Sequence, residues 1–149
     1  MSFADFFAVD PPNSQQVLAG GAVNFPQANP SNTADITLVP NTVGEVNLAN
    51  AGTYQVTFQV PVSGGGQLVL GLDTVDGSTE LPNTVVGTNV AGTDSQIVGV
   101  SIVTTTSANS VLTVRNPTSS SPTSPQPAIT TAKSTLNPVS AHLVITRIQ

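Results

Sequence analysis

The amino-acid sequence predicts an all-β fold, namely a sandwich, barrel or jelly roll, and three observations support this prediction. Apolar and polar residues alternate strictly along residues 52–62, which is typical of a strand with one buried face. Turn-forming residues recur at roughly 8–12-residue spacing along the chain. No segment has the periodicity of an amphipathic helix. Together these patterns predict about nine or ten short strands around one core.

Residues 52–62 are expected to form the central strand. The side chains on one side of the extended chain are all apolar: Tyr54, Val56, Phe58, Val60 and Val62. The other side is polar except for one proline: Thr53, Gln55, Thr57, Gln59 and Pro61. Turn-forming residues flank the segment at 49–52 and 63–66, so both ends of the strand are well defined.

The remaining strands are predicted from shorter apolar or alternating runs that are bounded by turn-forming residues. In chain order they lie at residues 3–9, 22–25, 35–39, 43–48, 67–72, 79–81, 84–86, 96–105, 111–115 and 139–148, with a further extended piece considered at 15–18 and a weak strand at 128–131. Two hairpins are expected because only short turns separate the strands concerned. One joins 52–62 to 67–72, and the other joins 96–105 to 111–115.

Two of these strands leave the identity of the core-facing residues open. In the first strand, either Phe3 and Phe7 or Phe6 alone points inward. In the long strand at 96–105, the competing residues are Ile97, Val100 and either Ile102 or Val103.

The composition excludes several classes of function. Of the 149 residues, only 7% are charged, compared with about 25% in ordinary soluble domains. The net charge is −5 and the cations are Arg115, Lys133 and Arg147, so nucleic-acid binding and attachment to anionic membranes are not expected. The chain contains no cysteine, which excludes disulfides and thiolate metal sites. No signal peptide and no apolar run of membrane-spanning length is visible.

A group of carboxylates is the first candidate for a metal site. Asp73, Asp76 and Glu80 fall within one predicted turn region, and calcium binds several carboxylate oxygens. The spacing lacks the regular alternation of ligands in a calcium loop. The alternative, ordinary Asp-Gly turn chemistry, is preferred, and neither a metal nor a cofactor is predicted.

Catalytic residues are not predicted. His142 is the only histidine, and the sequence contains no Gly-x-Ser-x-Gly motif that would place a nucleophilic serine. A packed or interface histidine is the preferred interpretation. The glycines at 64–66 lack the following helix and lysine of a phosphate-binding loop, and residues 118–127, rich in Ser, Thr and Pro, are interpreted as a solvated loop rather than a glycosylated segment.

Gly52, Tyr54, Val56 and Phe58, with Val46 six residues before the glycine, resemble the strand signature of complement C1q and tumour-necrosis-factor-like jelly rolls. A wider set is similar to the C-terminal heads of bacterial collagen-like spore-surface glycoproteins, the BclA-like group. The stretches that carry this resemblance are 3–7, 52–60, 96–106, 111–117 and 139–145. Val46 and Val56 stand where the C1q pattern usually has aromatic residues, so no ligand-binding residue of the animal proteins is transferred to this chain.

The resemblance implies a single C1q/TNF-like jelly-roll domain over residues 1–149, with about ten strands, that assembles as a homotrimer. In the spore proteins such heads terminate a collagen-like stalk on the exosporium and nucleate its assembly. A sheet that faces a threefold axis needs apolar residues on both sides. The interface candidates are Tyr54, Phe58, Val103, Leu143 and Ile145, and for each of them the alternative is a place in the core of the single chain.

The expected function is therefore a non-enzymatic structural protein, the trimerising and stalk-capping head of a collagen-like glycoprotein of the spore surface. The alternative is a module that binds a receptor or a host or surface carbohydrate, as in a phage-fibre tip or a lectin-like jelly roll. Sugar sites usually need aromatic residues for stacking, and the chain has one Tyr and no Trp. A hydrolase is the weakest interpretation.

Overall fold

The computed structural model describes residues 1–9, 15–88, 94–119, 128–129 and 139–149. The strands in chain order are β1 (Phe3–Val9), β2 (Gln27–Ala28), β3 (Ile36–Leu38), β4 (Val46–Leu48), β5 (Gly52–Ser63), β6 (Gly66–Thr74), β7 (Gly77–Glu80), β8 (Val86–Thr88), β9 (Asp94–Thr105), β10 (Ser110–Arg115), β11 (Ala128–Ile129) and β12 (Val139–Arg147). Within the described part of the chain, the helical structure is limited to a 3-10 turn at Pro82–Thr84.

The strands form two antiparallel sheets that enclose one apolar core. The first sheet has the order β11-β5-β12-β1-β2, and β9 also pairs with β5. β11 and β12 pair with different parts of β5, whereas β9 pairs with its whole length. The second sheet has the order β3-β4-β10-β6-β7, with β8 paired to β6. The predicted all-β sandwich is therefore confirmed.

Strand β5 is the centre of the first sheet, as its alternation predicts. It pairs with β9 over its whole length, from Gly52 opposite Thr105 to Ser63 opposite Asp94. On its other side it pairs with β12. The apolar set of β5 is buried in the core: Tyr54, Val56, Phe58, Val60 and Val62. Burial of such side chains stabilises the fold by about 1.5–3 kcal/mol each, before the entropy of ordering them is subtracted.

Both predicted hairpins are wrong, because each turn carries the chain from one sheet to the other. β5 belongs to the first sheet and β6 to the second, so their apolar faces meet across the core instead of lying side by side. The turn between them contains Gly64 and Gly65 at φ 81° and 80°, a left-handed conformation that a side chain disfavours. β9 and β10 are separated in the same way. Short turns permit either arrangement, and burial of apolar faces by the opposing sheet decides between them.

Several local predictions are corrected. In β1 the inward residue is Phe6, with Ala4 and Ala8, whereas Phe3 is 43% exposed. The expected strand at 22–25 is reduced to one bridge between Ala22 and Arg115, although Val23 is buried.

The other predicted strands differ from the observed strands mainly in where they begin and end. Residues 15–18 lie outside the named strands, and the strand expected at 43–48 begins at 46. The strand expected at 84–86 follows the 3-10 turn as β8. The weak strand expected at 128–131 is present as β11, and its residues 130–131 lie outside the described residues, as do residues 120–127 of the predicted Ser/Thr/Pro loop.

Candidate functional site

The outward side of the first sheet is the candidate functional site, and we call it the outer face. It consists of the outward side chains of β9, β5, β12 and β1. On β9 these include Val98, Val100 and Ile102, which are 53%, 63% and 54% exposed. Three large apolar side chains in succession along one strand form a contiguous exposed stripe, unlike the scattered single residues that are normal on soluble proteins.

The register extends this stripe across the sheet. Ile102 lies opposite Gln55, Val100 opposite Thr57 and Val98 opposite Gln59. Beyond β5, Val144 of β12 lies opposite Thr57 and is 38% exposed. On β1 the partly exposed aromatic residues are Phe3 and Phe7. The outer face is therefore apolar on both sides of a central strand whose outward side chains are mainly amides and hydroxyls.

Charge on the outer face is confined to a few residues. Among the described side chains that point outward from its four strands, the ionisable ones are Asp5, His142 and Asp94. His142 Nδ1 lies 3.1 Å from Asp5 Oδ1, and the Phe7 ring lies beside the imidazole with the ring centroids 6.2 Å apart. Because an ionised carboxylate only accepts hydrogen bonds, the imidazole is the donor of this contact wherever Asp5 is ionised.

Most of edge strand β9 is free of the residues that usually protect an edge against self-association. Among the strands described, β9 pairs with β5 alone. Residues 96–105 contain no charged residue and no proline, the features by which natural proteins keep exposed edges from pairing. The same strand therefore combines an edge position in the pairing order of the sheet with an apolar stripe.

The five interface residues predicted from the sequence all lie in the core of the single chain. Tyr54, Leu143 and Ile145 are 0% exposed, Phe58 is 1% and Val103 is 2%. The monomer-core alternative therefore describes their side chains. The residues that reach the outer face are their sequence neighbours, such as Ile102 and Val144, which occupy the opposite phase of the same strands.

Tyr54 closes one end of the core, near the point where β1 begins and β12 ends. Its hydroxyl donates a hydrogen bond of 2.5 Å to the carbonyl oxygen of Asn50. Burial raises the pKa of Tyr54, the positive charge of Arg147 opposes this rise, and the carboxylate of Asp35 adds to it. The phenol therefore ties the start of β5 to the loop before it.

Asp35 lies at the same end of the sandwich. A hydrogen bond from Ser2 is the largest cause that holds the pKa of Asp35 below its usual value. Partial burial raises the pKa, and hydrogen bonds from Thr33 and Asn50 lower it further. The carboxylate therefore ties the N-terminal residues to the loop before β5.

The three carboxylates considered for calcium do not converge. Asp73 lies 3.9 Å from a guanidinium nitrogen of Arg115, and Glu80 accepts a hydrogen bond of 2.8 Å from the backbone N–H of Thr118. Asp76 is exposed at the β6–β7 turn. In the described ranges, no group of three or more His, Cys, Asp or Glu side chains is arranged to hold a metal ion.

A pocket of about 250 Å³ lies beside residues 38–45, at the connection between β3 and β4 of the second sheet. Its lining includes Asn24, Pro26, Asn41 and Glu45, and Glu45 is its one ionisable group. General acid–base catalysis normally needs a donor and an acceptor in reach of the same substrate, and this pocket offers a single carboxylate. Within the described residues no helix is long and apolar enough to span a membrane.

Comparison with known proteins gives matches at the level of structure. No protein-family model and no curated protein sequence matches the chain. The structure of Eiger TNF from S. frugiperda superposes with a TM-score of 0.72 at 15% identity, covering 99% of this chain and 92% of that one. The globular domain of zebrafish complement 1qA superposes with a TM-score of 0.63 at 12% identity, covering 97% and 92%. The chain has the TNF/C1q jelly-roll fold.

Murine APRIL at pH 5.0 extends the same comparison, with a TM-score of 0.56 and 8% identity over 99% of this chain and 98% of that one. The jelly roll predicted from the strand signature at residues 52–58 is therefore confirmed. At such low identities the match concerns the fold, so any role must be argued from the outer face itself.

Proposed function

We propose that this chain is a non-enzymatic head domain that assembles as a homotrimer through its outer face. The observation that carries the proposal is the stripe of Val98, Val100 and Ile102 on β9, an edge strand of the first sheet. In a closed cyclic assembly every copy buries this surface against a neighbour. An open head-to-tail arrangement would leave the surface exposed at its ends and would grow into fibres. The resemblance to C1q and TNF-like jelly rolls supports three copies.

The low charge of the chain also supports self-association. With 7% charged residues, little electrostatic repulsion opposes close contact between copies. The amides and hydroxyls of β5, such as Gln55, Thr57 and Gln59, can hydrogen-bond at an interface without the desolvation cost of ions. A second copy of this chain is therefore a better occupant of the outer face than a charged partner.

The position of β1 supports a role for this domain as the head of a longer, stalk-bearing protein. Backbone pairing places Phe3 opposite Thr146 in the first sheet, and Met1 is 96% exposed. A segment joined before β1 would thus leave the domain from the sheet that bears the outer face, and a trimer would bring three such segments to one side. We propose that the head nucleates and caps a collagen-like stalk of an exosporium glycoprotein on the spore surface.

The alternative function is binding of a carbohydrate, and the structure gives little support for an aromatic residue that stacks on a sugar. Tyr54, the one tyrosine of the chain, is fully buried and cannot stack on a sugar. Exposed aromatic surface is limited, within the described residues, to Phe3 and Phe7 on the outer face. A screen against immobilised glycans at high protein concentration is expected to detect no binding.

Solution mass tests the proposal directly. Light scattering on the purified chain is expected to give three times 15.1 kDa, or 45.3 kDa, and to hold that mass on dilution. A constant mass of 15.1 kDa would contradict the trimer and with it the role of a stalk-nucleating head.

A further inference from the structure

The Asp5–His142 pair lies on β1 and β12, on the side of the outer face away from β9, where self-association through that face would cover it. Val144 lies opposite Asp5, and Phe7 and Gln59 lie opposite His142 on either side. The His142 and Asp5 side chains are 43% and 30% exposed in the single chain, so water still reaches both. Contact with another copy at this part of the outer face would remove that water.

The position of Asp5 is well defined by the backbone. Its N–H donates to Asn32 Oδ1 at 2.8 Å, and its carbonyl oxygen accepts from Asn32 Nδ2 at 3.1 Å. β1 is thus held on both sides, by Asn32 and by β12, and this backbone position places the carboxylate beside the imidazole. The pair therefore enters any interface as a unit.

We propose that self-association of this chain is linked to protonation of His142, so that the assembly is tightest where His142 is protonated and Asp5 is ionised. This inference rests on the proposed trimer and adds its regulation. The protonated pair brings no net charge into the interface. The deprotonated pair brings a carboxylate without a cationic partner from each copy, and burial of an uncompensated charge is strongly unfavourable.

No other ionisable side chain compensates this charge among the residues described. The outward residues of β5 are neutral, and on β2 the neighbour of Phe7 is Gln27. The remaining carboxylate of the outer face, Asp94, lies at the start of β9 opposite Ser63, several residues along the strands from His142. Histidine is in general the side chain whose charge changes between about pH 5 and 8, so the test compares association near the two ends of that range.

The experiment measures the association constant of the full chain by sedimentation at pH 5.5 and pH 8.0 at constant ionic strength. Association is expected to be stronger at pH 5.5. If each of the three pairs takes up one proton on assembly, the association constant of the trimer changes by at most about a thousandfold per pH unit. If the assembly does not dissociate on dilution, the urea concentration needed to dissociate it is measured instead. That concentration is expected to be higher at pH 5.5 than at pH 8.0.

Two variants separate this linkage from a purely structural role. His142→Gln is expected to remove the pH dependence and to associate at both pH values as weakly as the native chain at pH 8.0. Asp5→Asn is expected to reverse it, because protonated His142 then has no counter-charge and opposes association at pH 5.5. Asp94→Asn serves as the matched control and should keep the native dependence.

The outcomes distinguish the inference from the proposed function. A native trimer that is equally stable at both pH values, or an Asp5→Asn variant that keeps the native sign, would overturn the linkage and leave the trimer standing. A monomer at every pH would overturn both.

Discussion

Phe58 and Gly99 lie directly opposite one another across β5 and β9, and the phenyl ring occupies the space that a side chain at position 99 would need. A Cβ atom at Gly99 would overlap three atoms of that ring. The pair explains why an apolar strand interior contains a glycine: its missing side chain makes room for an aromatic neighbour on the adjacent strand.

Gly99→Val is therefore expected to destabilise the fold by about 1–3 kcal/mol, the usual cost of overpacking a core. Urea unfolding followed by circular dichroism measures the change. Thr104→Ala, an exposed substitution on the same strand, is the control and should change stability by less than about 0.5 kcal/mol.

A double-mutant cycle tests the contact itself. Phe58→Ala alone is expected to cost about 3–5 kcal/mol, because it leaves a cavity in the core. Combined with Gly99→Val, the loss should be clearly smaller than the sum of the two single losses, since the new side chain fills part of that cavity. Strict additivity would show that the ring and position 99 do not share the space.

Val100→Lys is expected to abolish the trimer while the single chain stays folded. Val100 is 63% exposed at the middle of the apolar stripe, so the single chain tolerates a lysine there. In an interface, the unpaired charge would weaken association by at least about a hundredfold. Light scattering measures the mass, and circular dichroism verifies the fold. Gln67→Lys, an exposed change on the second sheet, should remain trimeric.

The stability of the fold should fall at alkaline pH because of Tyr54. Burial raises its pKa above the value of 10.0 that it has in the unfolded chain. The buried phenol therefore contributes stability that is fully present below pH 10 and is lost as the pH rises through its higher folded value. Since Tyr54 is the one tyrosine, its ultraviolet titration reports this group without overlap.

Tyr54→Phe provides the comparison for that alkaline loss. It should cost about 0.5–1.5 kcal/mol at neutral pH, because the hydrogen bond to the Asn50 carbonyl is lost. In return, the decline in unfolding free energy above pH 10 should be smaller than in the native chain. An identical alkaline decline in both proteins would assign the effect to another group.

Asp35 is expected to contribute to stability with the opposite dependence on pH. Its hydrogen bond from Ser2 lowers its pKa below 3.8, so the contribution is present above that value and is lost as the pH falls through the lower folded value. Urea unfolding between pH 2 and pH 6 should show a shallower acid decline for Asp35→Asn than for the native chain. Asp76→Asn, at an exposed turn, should leave the decline unchanged.

The sequence determined the all-β fold and the phase of β5. Thr and Gln at alternate positions of β5 leave one arrangement that buries only apolar groups, and a shift by one residue would bury the polar set. Likewise, the limits of β1 follow from local patterns, and so does the position of Tyr54 and Phe58 on the apolar side of β5. Such properties depend on how apolar and polar residues alternate within one segment, and not on which strands pair with it.

Only the tertiary structure decided which strands meet and which apolar residues face outward. Leu143, Val144 and Ile145 are apolar in succession, so alternation gives no phase for β12, and the opposing sheet is what buries the first and third. The pairing of β5 with β9 joins residues as far apart as Gly52 and Thr105. Long-range pairing and the meeting of Asp5 with His142 arise from burial of both sheets against one another, which no local pattern records.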